Sequence, residues 1–319
     1  MIPKYTFLLP AFKAKYFEEA IISIKNQTFT DYKVLISDDK SPENLKSIFD
    51  RIVGDDSRFT YRRNEENMGN KSLVSHWNLL VDMCDTEFLI MASDDDVYEQ
   101  NFLEDVDYLI RKYPNVDLFR ARVKQINSIG EIMREDFICN EYEDKVTFVY
   151  DFICMDKIKC IANYVFRTNK LKERGSFVDF PLAWGSDDAT VLNMIENGVC
   201  QTSNVLFAFR CSGDNISTVI DKKTIVGKNA ALFQFLQYMK VYFDSMANIN
   251  SILEKKRIER SRAFFFSGYH TKSLIYGMQF DSFRNVVRYV KFLSSINCLS
   301  GTLEKIHIYW SWIKTRKCK

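Results

Sequence analysis

Glycine and proline are scarce in this 319-residue chain, at 11 and 5 residues, which excludes long flexible linkers and low-complexity tracts. Histidine is scarcer still: His76, His270 and His307 are all there are. Eight cysteines are present, but there is no Cys-x-x-Cys pair and no paired zinc-ligand spacing. Neither a structural zinc site nor a Cys–His nucleophile pair is therefore supported. Cys84, Cys154 and Cys160 sit in apolar runs, as small buried hydrophobes do, and a reduced cytoplasmic chain is the expectation. No uncharged apolar run approaches the roughly 18 residues that would mark a membrane-spanning helix. The N-terminal MIPKYTFLLPAF leads straight into a strand-like pattern and does not read as a signal peptide. No internal repeat is visible.

What remains is ordinary globular composition, 46% hydrophobic and 27% charged, enough for one large domain with an appendage. The net charge of +2 conceals an asymmetry. Residues 221–319 carry 18 Lys+Arg against 6 Asp+Glu, leaving 26 basic and 36 acidic residues before them. Two regions with different electrostatic tasks are one reading, and helices with solvated Lys/Arg faces are the other.

Along the chain, apolar runs at 5–12, 32–37, 59–63, 86–92 and 116–126 read as strands. Between them, 16–26, 42–53, 70–83 and 99–112 have helical spacing, with Ser41 as N-cap and Pro42 at the first helical position of the second. Such alternation predicts a Rossmann-like α/β fold: a mostly parallel central sheet flanked by helices. Beyond 127 the expectation is a helix at 144–155, a strand at 160–167, a helix at 187–197 and a strand at 203–210. From 224 the pattern is helical, with helices at 224–245, 250–278, 281–295 and 301–315. The division is 1–220 as the catalytic domain and 221–319 as a basic C-terminal helical region.

Three acidic stretches could do chemistry. Asp94-Asp95-Asp96 follows an apolar strand, and adjacent carboxylates repel unless water or a cation screens them. Mg²⁺ or Mn²⁺ would suit such oxygens and keep positions open for phosphate. The same acids would equally cap a helix starting near Glu99 or sit solvated in a loop. Asp38-Asp39 ends the second strand, where a carboxylate can hydrogen-bond a ribose or a base, or form an Asx turn. Asp187-Asp188 opens a helix, as a general base or as its N-cap with Ser186.

Together these stretches carry a resemblance. Pro10-Ala11-Phe12, then Ser23-Ile24-Lys25-Asn26-Gln27-Thr28, then Asp38-Asp39-Lys40-Ser41 resemble the opening of the family 2 glycosyltransferases, which have the GT-A fold. Asn67-Met68-Gly69 looks like that family's N-x-G, Ala92-Ser93-Asp94-Asp95-Asp96 like its D-x-D stretch, and Gly185-Ser186-Asp187 like its G-E-D segment. The resemblance covers residues 3–215. It implies an inverting, metal-dependent transfer from a nucleotide sugar, with UDP as carrier, to an acceptor hydroxyl in surface-glycan assembly. Pro10, Ala11 and Phe12 would line the nucleoside pocket, with Asp39 on base or ribose and Asp94 near the ribose. Asn67 and Lys71 are further donor-side candidates. Asp95, with Asp96, would hold Mn²⁺ or Mg²⁺, and Asp187 would be the base, with Asp188 its competitor. Ser93 and Ser186 stand where many members carry an acid. Arg210 and Asn215 are candidate diphosphate contacts.

In the basic tail, KKRIERSR precedes FFFSGYH and the chain ends IHIYWSWIKTRKCK. Aromatics beside cations suit an anionic inner membrane face near a lipid-linked or glycan acceptor. Alternatively they pack these helices onto the catalytic domain or into a homo-oligomer. Nucleic acid is not an expected partner, because the rest of the chain is acidic. Two other functions fit parts of the pattern. A nucleotidyltransferase making nucleotide sugars would want a glycine-rich loop, which PAFKAKYF lacks. A non-catalytic sugar-nucleotide module would not need to keep all three acidic stretches.

Overall fold

The structure is a computed structural model that describes residues 2–155, 157–213, 222–299 and 301–317. Among these, ten strands form one sheet: β1 (Tyr5–Ala11), β2 (Tyr32–Asp38), β3 (Phe59–Arg63), β4 (Phe88–Met91), β5 (Val97–Tyr98), β6 (Leu118–Ile126), β7 (Ile132–Glu135), β8 (Tyr142–Glu143), β9 (Tyr164–Arg167) and β10 (Val199–Arg210). The helices are α1 (Phe17–Lys25), α2 (Leu45–Val53), α3 (Gly69–Met83), α4 (Phe102–Lys112), α5 (Lys145–Cys154), α6 (Thr168–Glu173), α7 (Ser186–Met194), α8 (Lys222–Ser245), α9 (Ile252–Ser267), α10 (Tyr269–Gly277), α11 (Phe283–Ser295) and α12 (Thr302–Lys317).

The sheet order is β3-β2-β1-β4-β9-β6-β10-β5. Strands β3, β2, β1 and β4 run parallel, as does the pair β6 and β10, while β9 is antiparallel to both β4 and β6. The carboxyl ends of β1, β2 and β4 therefore share one rim, where ligands of open α/β sheets collect. Period-2 alternation divides β1 between two cores. Phe7, Leu9 and Ala11 pack with α1, α2 and α4, whereas Leu8 faces the cluster of α3, α5 and the C-terminal helices. That second cluster runs without a break from Leu8 and Val74 to Leu274, Val286 and Leu293, so α8, α10 and α11 are seated on the sheet's covered face.

Several local expectations differ from what forms. Helix α2 is capped by Asn44, whose Oδ1 accepts from Ser47 N at 3.1 Å; Ser41 instead donates its backbone N–H to Asp38 Oδ1 at 2.7 Å, turning the chain after β2. The helix expected at 250–278 breaks at Gly268, where an added Cβ would lie 2.9 Å from the Phe264 carbonyl oxygen. The last strand begins at Val199 rather than 203, and the helix before it closes as a 3₁₀ turn at Ile195–Asn197. Of the C-terminal aromatics, Phe265 and Phe266 are buried, and Trp312 donates its indole N–H to the Asp281 carbonyl at 2.8 Å. Packing onto the protein thus accounts for part of that aromatic content. No helix among the described residues is long and apolar enough to cross a membrane.

Candidate active site

The rim is assembled by backbone donors. Asp94 Oδ2 accepts from Phe12 N at 2.7 Å and Lys13 N at 2.8 Å, tying the acidic loop after β4 to the turn after β1. Asp39 N donates to the Ala11 carbonyl at 2.8 Å, which brings the end of β2 to the same turn. Lys40, next in sequence, has φ +57°, a left-handed conformation that costs a non-glycine residue of order 1 kcal/mol. Asp39 is 5% exposed and well engaged: Oδ1 accepts from Met68 N at 2.8 Å and Asn64 Nδ2 at 2.9 Å, and Oδ2 from Gly69 N at 2.7 Å. Asn67 Oδ1 accepts from Asn70 N at 2.7 Å and shapes the start of α3. Pro10, Ala11, Phe12, Asp39 and Asp94, predicted for the donor, thus meet at one place, with the Asn67–Gly69 loop fastened to it. Lys71 is exposed and paired with Glu66, beside a cavity of about 690 Å³ that Arg62, Arg63 and Met68 also line.

The three consecutive aspartates have separate surroundings. Burial pushes Asp94 up to about 6, against the two backbone N–H groups that hold its charged form. Burial also raises Asp95, tempered first by the Lys13 ammonium. Asp96 is turned inward: Oδ1 accepts from Arg210 N at 2.8 Å and Oδ2 from Ser93 Oγ, while burial and the charge of Asp95 push it to about 8. Both oxygens of Asp96, expected beside Asp95 among the metal ligands, accept from protein donors, while Asp94 and Asp95 are only half-buried. None of the three caps α4, where Asn101 stands at the N-cap with its side-chain amide donating to Asp105 Oδ1 at 3.2 Å rather than capping the backbone. Among the described residues no three acidic, histidine or cysteine side chains form a ready metal cage. The fit to a hard cation is that of a site with one or two carboxylates, completed by phosphate oxygens and water, and the raised carboxyls mark negative charge that a cation would relieve.

Arg210, a candidate diphosphate contact, is 2% exposed and committed elsewhere. Nε donates to the Asp95 carbonyl at 2.9 Å, Nη2 pairs with Glu19 at 2.6 Å, and the guanidinium lies 4.3 Å from the Tyr16 ring centre. It clasps the acidic loop to α1 and β10. Asn215 lies outside the described residues.

The second acidic group sits on a strained approach. Leu182 and Ala183 have φ of +58° and +55°, and Gly185, at φ +85°, packs so closely on α8 that a Cβ there would be 2.9 Å from the Phe235 ring. Neither Ser186 nor Asp187 caps α7: Gly185 occupies the N-cap, and Ser186 Oγ accepts from Phe180 N at 3.1 Å. Asp188 is buried and pairs with Lys159 at 3.0 Å. Asp187 is half-buried, its Oδ1 accepting from Asp188 N at 2.9 Å, and burial together with the charge of Asp188 pushes it to about 7. A carboxylate poised near neutrality suits a general base.

Two bridges tie this loop to the rim. On one side, Phe177 packs on Trp77 of α3 with ring centres 5.5 Å apart, and Asn78 exchanges two hydrogen bonds with the Phe177 backbone. On the other, in the segment leading into β9, Lys159 meets Asp188, and the Ala162 carbonyl accepts from the OH of Tyr98, two residues past Asp96, at 2.8 Å.

Sequence reasoning did not single out Asn64, His76 or Lys159. His76, fully buried, places Nε2 2.9 Å from Ser37 Oγ and Nδ1 3.8 Å from Asp39 Oδ1, and burial lowers its pKa. Its signal was a polar residue on the apolar face of α3. Lys159 had none, since its partner is 29 residues away in sequence.

Comparison with known proteins bears on the family and the fold. In sequence, the chain is 34% identical over 100 residues to the Campylobacter jejuni GalNAc(5)-diNAcBac-PP-undecaprenol beta-1,3-glucosyltransferase, an alignment spanning 30% of each protein. In structure, it superposes on residues 1–349 of S. aureus TarS in complex with UDP-GlcNAc, with TM-score 0.68, 14% identity, and coverage of 99% of this chain and 92% of that one. A mannosyltransferase from Pyrobaculum calidifontis, PcManGT, solved with GDP-Man and Mn²⁺, superposes with TM-score 0.52, 14% identity, and coverage of 99% and 88%. The architecture is thus GT-A-like, with a mostly parallel sheet, flanking helices and a C-terminal helical region. Residues 6–178, more than half the chain, match the profile described as Glycosyl transferase family 2, and the protein belongs to that family.

Proposed function

We propose that the protein transfers a sugar from a nucleotide-diphosphate sugar, with UDP as the carrier, to an acceptor hydroxyl with inversion at the anomeric carbon. The observation that carries the reading is the pairing of a rim of backbone-clasped carboxylates, Asp39 and Asp94, with Asp95 beside them, and a separately held carboxyl, Asp187, poised near neutrality. Complexes of similar folds with UDP-GlcNAc and with GDP-Man support a nucleotide-sugar donor.

In this reading the Pro10–Phe12 turn and Asp39 hold the nucleoside, with the Asn67–Gly69 loop as backing and Asp94 beside the ribose. Asp95, with Asp94 next to it, would hold a divalent cation, Mn²⁺ or Mg²⁺, which supplies charge neutralisation for the departing diphosphate. Lys13 adds a fixed positive charge at the same place. Asp187 takes the proton of the acceptor hydroxyl as its oxygen bonds to the anomeric carbon, while the bond from that carbon to the diphosphate breaks with its electron pair leaving on phosphate oxygen. Asp188 and Lys159 neutralise one another and fix the loop, so Asp188 is a positioning residue.

The acceptor would be a glycan or a lipid-linked sugar in surface-polysaccharide assembly; the name of the Campylobacter relative carries a PP-undecaprenol-linked glycan, which supports the lipid-linked form. The C-terminal region would meet the inner membrane face: Leu303, Ile306, Trp310 and Ile313 form an exposed stripe on α12 at helical spacing, with Lys314 Nζ 5.1 Å from the Trp310 ring centre. The test is thermal stabilisation and donor turnover against a panel of nucleotide sugars with Mn²⁺. Stabilisation lost in Asp95→Ala, and transfer but not donor binding lost in Asp187→Ala, would support the reading; no response to any donor would end it.

A further inference from the structure

His76 is fully buried on α3, yet its ring is not satisfied: Nδ1 has no hydrogen-bond partner among the described residues. A buried polar atom left without a partner costs free energy, and packing alone would be served by leucine or phenylalanine. The unpartnered atom faces Asp39 Oδ1 at 3.8 Å, beyond hydrogen-bond length but close enough for the carboxylate charge to act on it.

The place of the proton on the ring follows from its neighbours. Asn64 Nδ2 donates to Asp39 Oδ1 at 2.9 Å, and a carboxylate can only accept, so the amide nitrogen and not its oxygen stands there. The same nitrogen lies 3.2 Å from His76 Nε2, a contact that its second hydrogen serves. Ser37 Oγ, on β2, lies 2.9 Å from Nε2 and has a hydroxyl hydrogen to give. Flanked by two donors, Nε2 is the accepting nitrogen. Burial lowers the pKa of the ring, so at neutral pH it carries one proton. That proton is left to Nδ1, where the N–H dipole faces the Asp39 charge. The other tautomer would set Nε2–H against an amide N–H and the Nδ1 lone pair against a carboxylate.

This network ends on a residue that the donor reading uses. Asp39 Oδ1 accepts from Met68 N and Asn64 Nδ2 and is the oxygen that the imidazole approaches, whereas Oδ2 accepts from Gly69 N at 2.7 Å. Oδ1 is thereby turned to the protein, and Oδ2 keeps a lone pair for a nucleoside. Ser37 ends β2, Asn64 follows β3 and His76 belongs to α3, so three elements converge on one carboxylate.

We propose that His76 is a positioning residue of the donor site: a neutral imidazole whose Nδ1–H faces Asp39 Oδ1 while Nε2 accepts from Asn64 and Ser37, so that Asp39 presents Oδ2 to the nucleoside. The proposal rests on the reading above, in which Asp39 meets the nucleoside. It adds a residue behind the site and the location of its proton.

Two measurements test it on the full-length protein. The first is nitrogen NMR of ¹⁵N-histidine-labelled protein near neutral pH, with the His76 signals identified by elimination using His270→Gln and His307→Gln. The expected result is a protonated Nδ1 and an unprotonated Nε2; a proton on Nε2 overturns the proposal. The second is calorimetry with UDP and with GDP, each with Mn²⁺, on wild type, His76→Asn, His76→Gln and His76→Leu. Asparagine sets an amide N–H near the place of Nδ1, while glutamine sets its amide near the place of Nε2. His76→Gln and His76→Leu should raise the nucleotide Kd by about tenfold, the scale of one hydrogen bond to a charged group, and His76→Asn should stay near wild type. Unchanged affinity in His76→Gln and His76→Leu overturns the positioning role and leaves the donor reading standing. Affinity that falls in step with melting temperature across all three variants makes His76 a packing residue and also overturns it. A wild-type protein that binds neither nucleotide contradicts the donor reading itself, and the role falls with it.

Discussion

The rim of the parallel strands and the loop before α7 both present aspartates, yet they hold them in opposite ways. At the rim, Asp39 and Asp94 each accept at least two backbone N–H donors from neighbouring turns, so their positions are dictated by the sheet itself. At the loop, Asp187 accepts from the backbone N–H of its own neighbour, Asp188, on a backbone held left-handed at Leu182, Ala183 and Gly185. The first arrangement suits recognition, which needs fixed acceptors. The second suits proton transfer, which needs a carboxyl whose charged form is only weakly supported.

If that division of labour is right, substitutions in the two regions must fail differently. Asp187→Asn should lower the transfer rate by about 10²–10⁴-fold, the usual contribution of a general base, while calorimetry finds donor affinity unchanged. Asp95→Asn should do the reverse in binding: wild-type protein gains roughly 2.7 kcal/mol of stability at a hundredfold excess of donor over Kd with Mn²⁺, and the variant should gain none of it in thermal melts. Gly185→Ala strains a left-handed residue against Phe235 and should lose about 1–3 kcal/mol in denaturant unfolding, with activity falling as the loop shifts.

Acidity offers a finer probe. Burial and the charge of Asp188 push Asp187 to about 7, and as a base it would act only when deprotonated, so transfer should decline as the pH drops below neutrality. Asp188→Asn removes the adjacent negative charge that helps raise it and leaves the Lys159 cation. The acid limb of the pH–rate profile should then move to lower pH; a limb that stays in place would deny Asp187 the role of base. The smallest effect concerns the C-terminal stripe. Trp310→Ser with Lys314→Ser should weaken pelleting with phosphatidylserine-containing vesicles by about 1 kcal/mol per group, and equal pelleting of variant and wild type would remove the membrane from the account.

The rim was the more legible of the two regions. Pro10–Phe12, Asp39 and Asp94–Asp96 lie at the ends of strands whose apolar runs are unmistakable, and a parallel sheet brings such ends together without further information. The helical cap of α2 was misplaced because Ser41 has cap chemistry and Asn44 has it too, and only the turn after Asp38 decides between them. The split at Gly268 was hidden by unbroken helical periodicity from 252 to 277, and the two-residue strands β5 and β8 are too short to show a period at all. Arg210 was a candidate diphosphate contact through the resemblance of the loop after the last strand; its bonds to Glu19 and the Asp95 carbonyl are set by tertiary packing and have no signal in the sequence. The Lys159–Asp188 pair is a long-range meeting, visible only in the folded chain.

A structure of the protein bound to UDP and Mn²⁺ bears most directly on this division between rim and loop. The account predicts the cation on Asp95 at about 2.0–2.3 Å, near the oxygen-ligand distances of Mg²⁺ and Ca²⁺, the nucleoside between Phe12 and Asp39, and Asp187 facing the end of the diphosphate with no bond to metal. A cation on Asp187, or a nucleotide bound away from the β1–β2 turn, would contradict it.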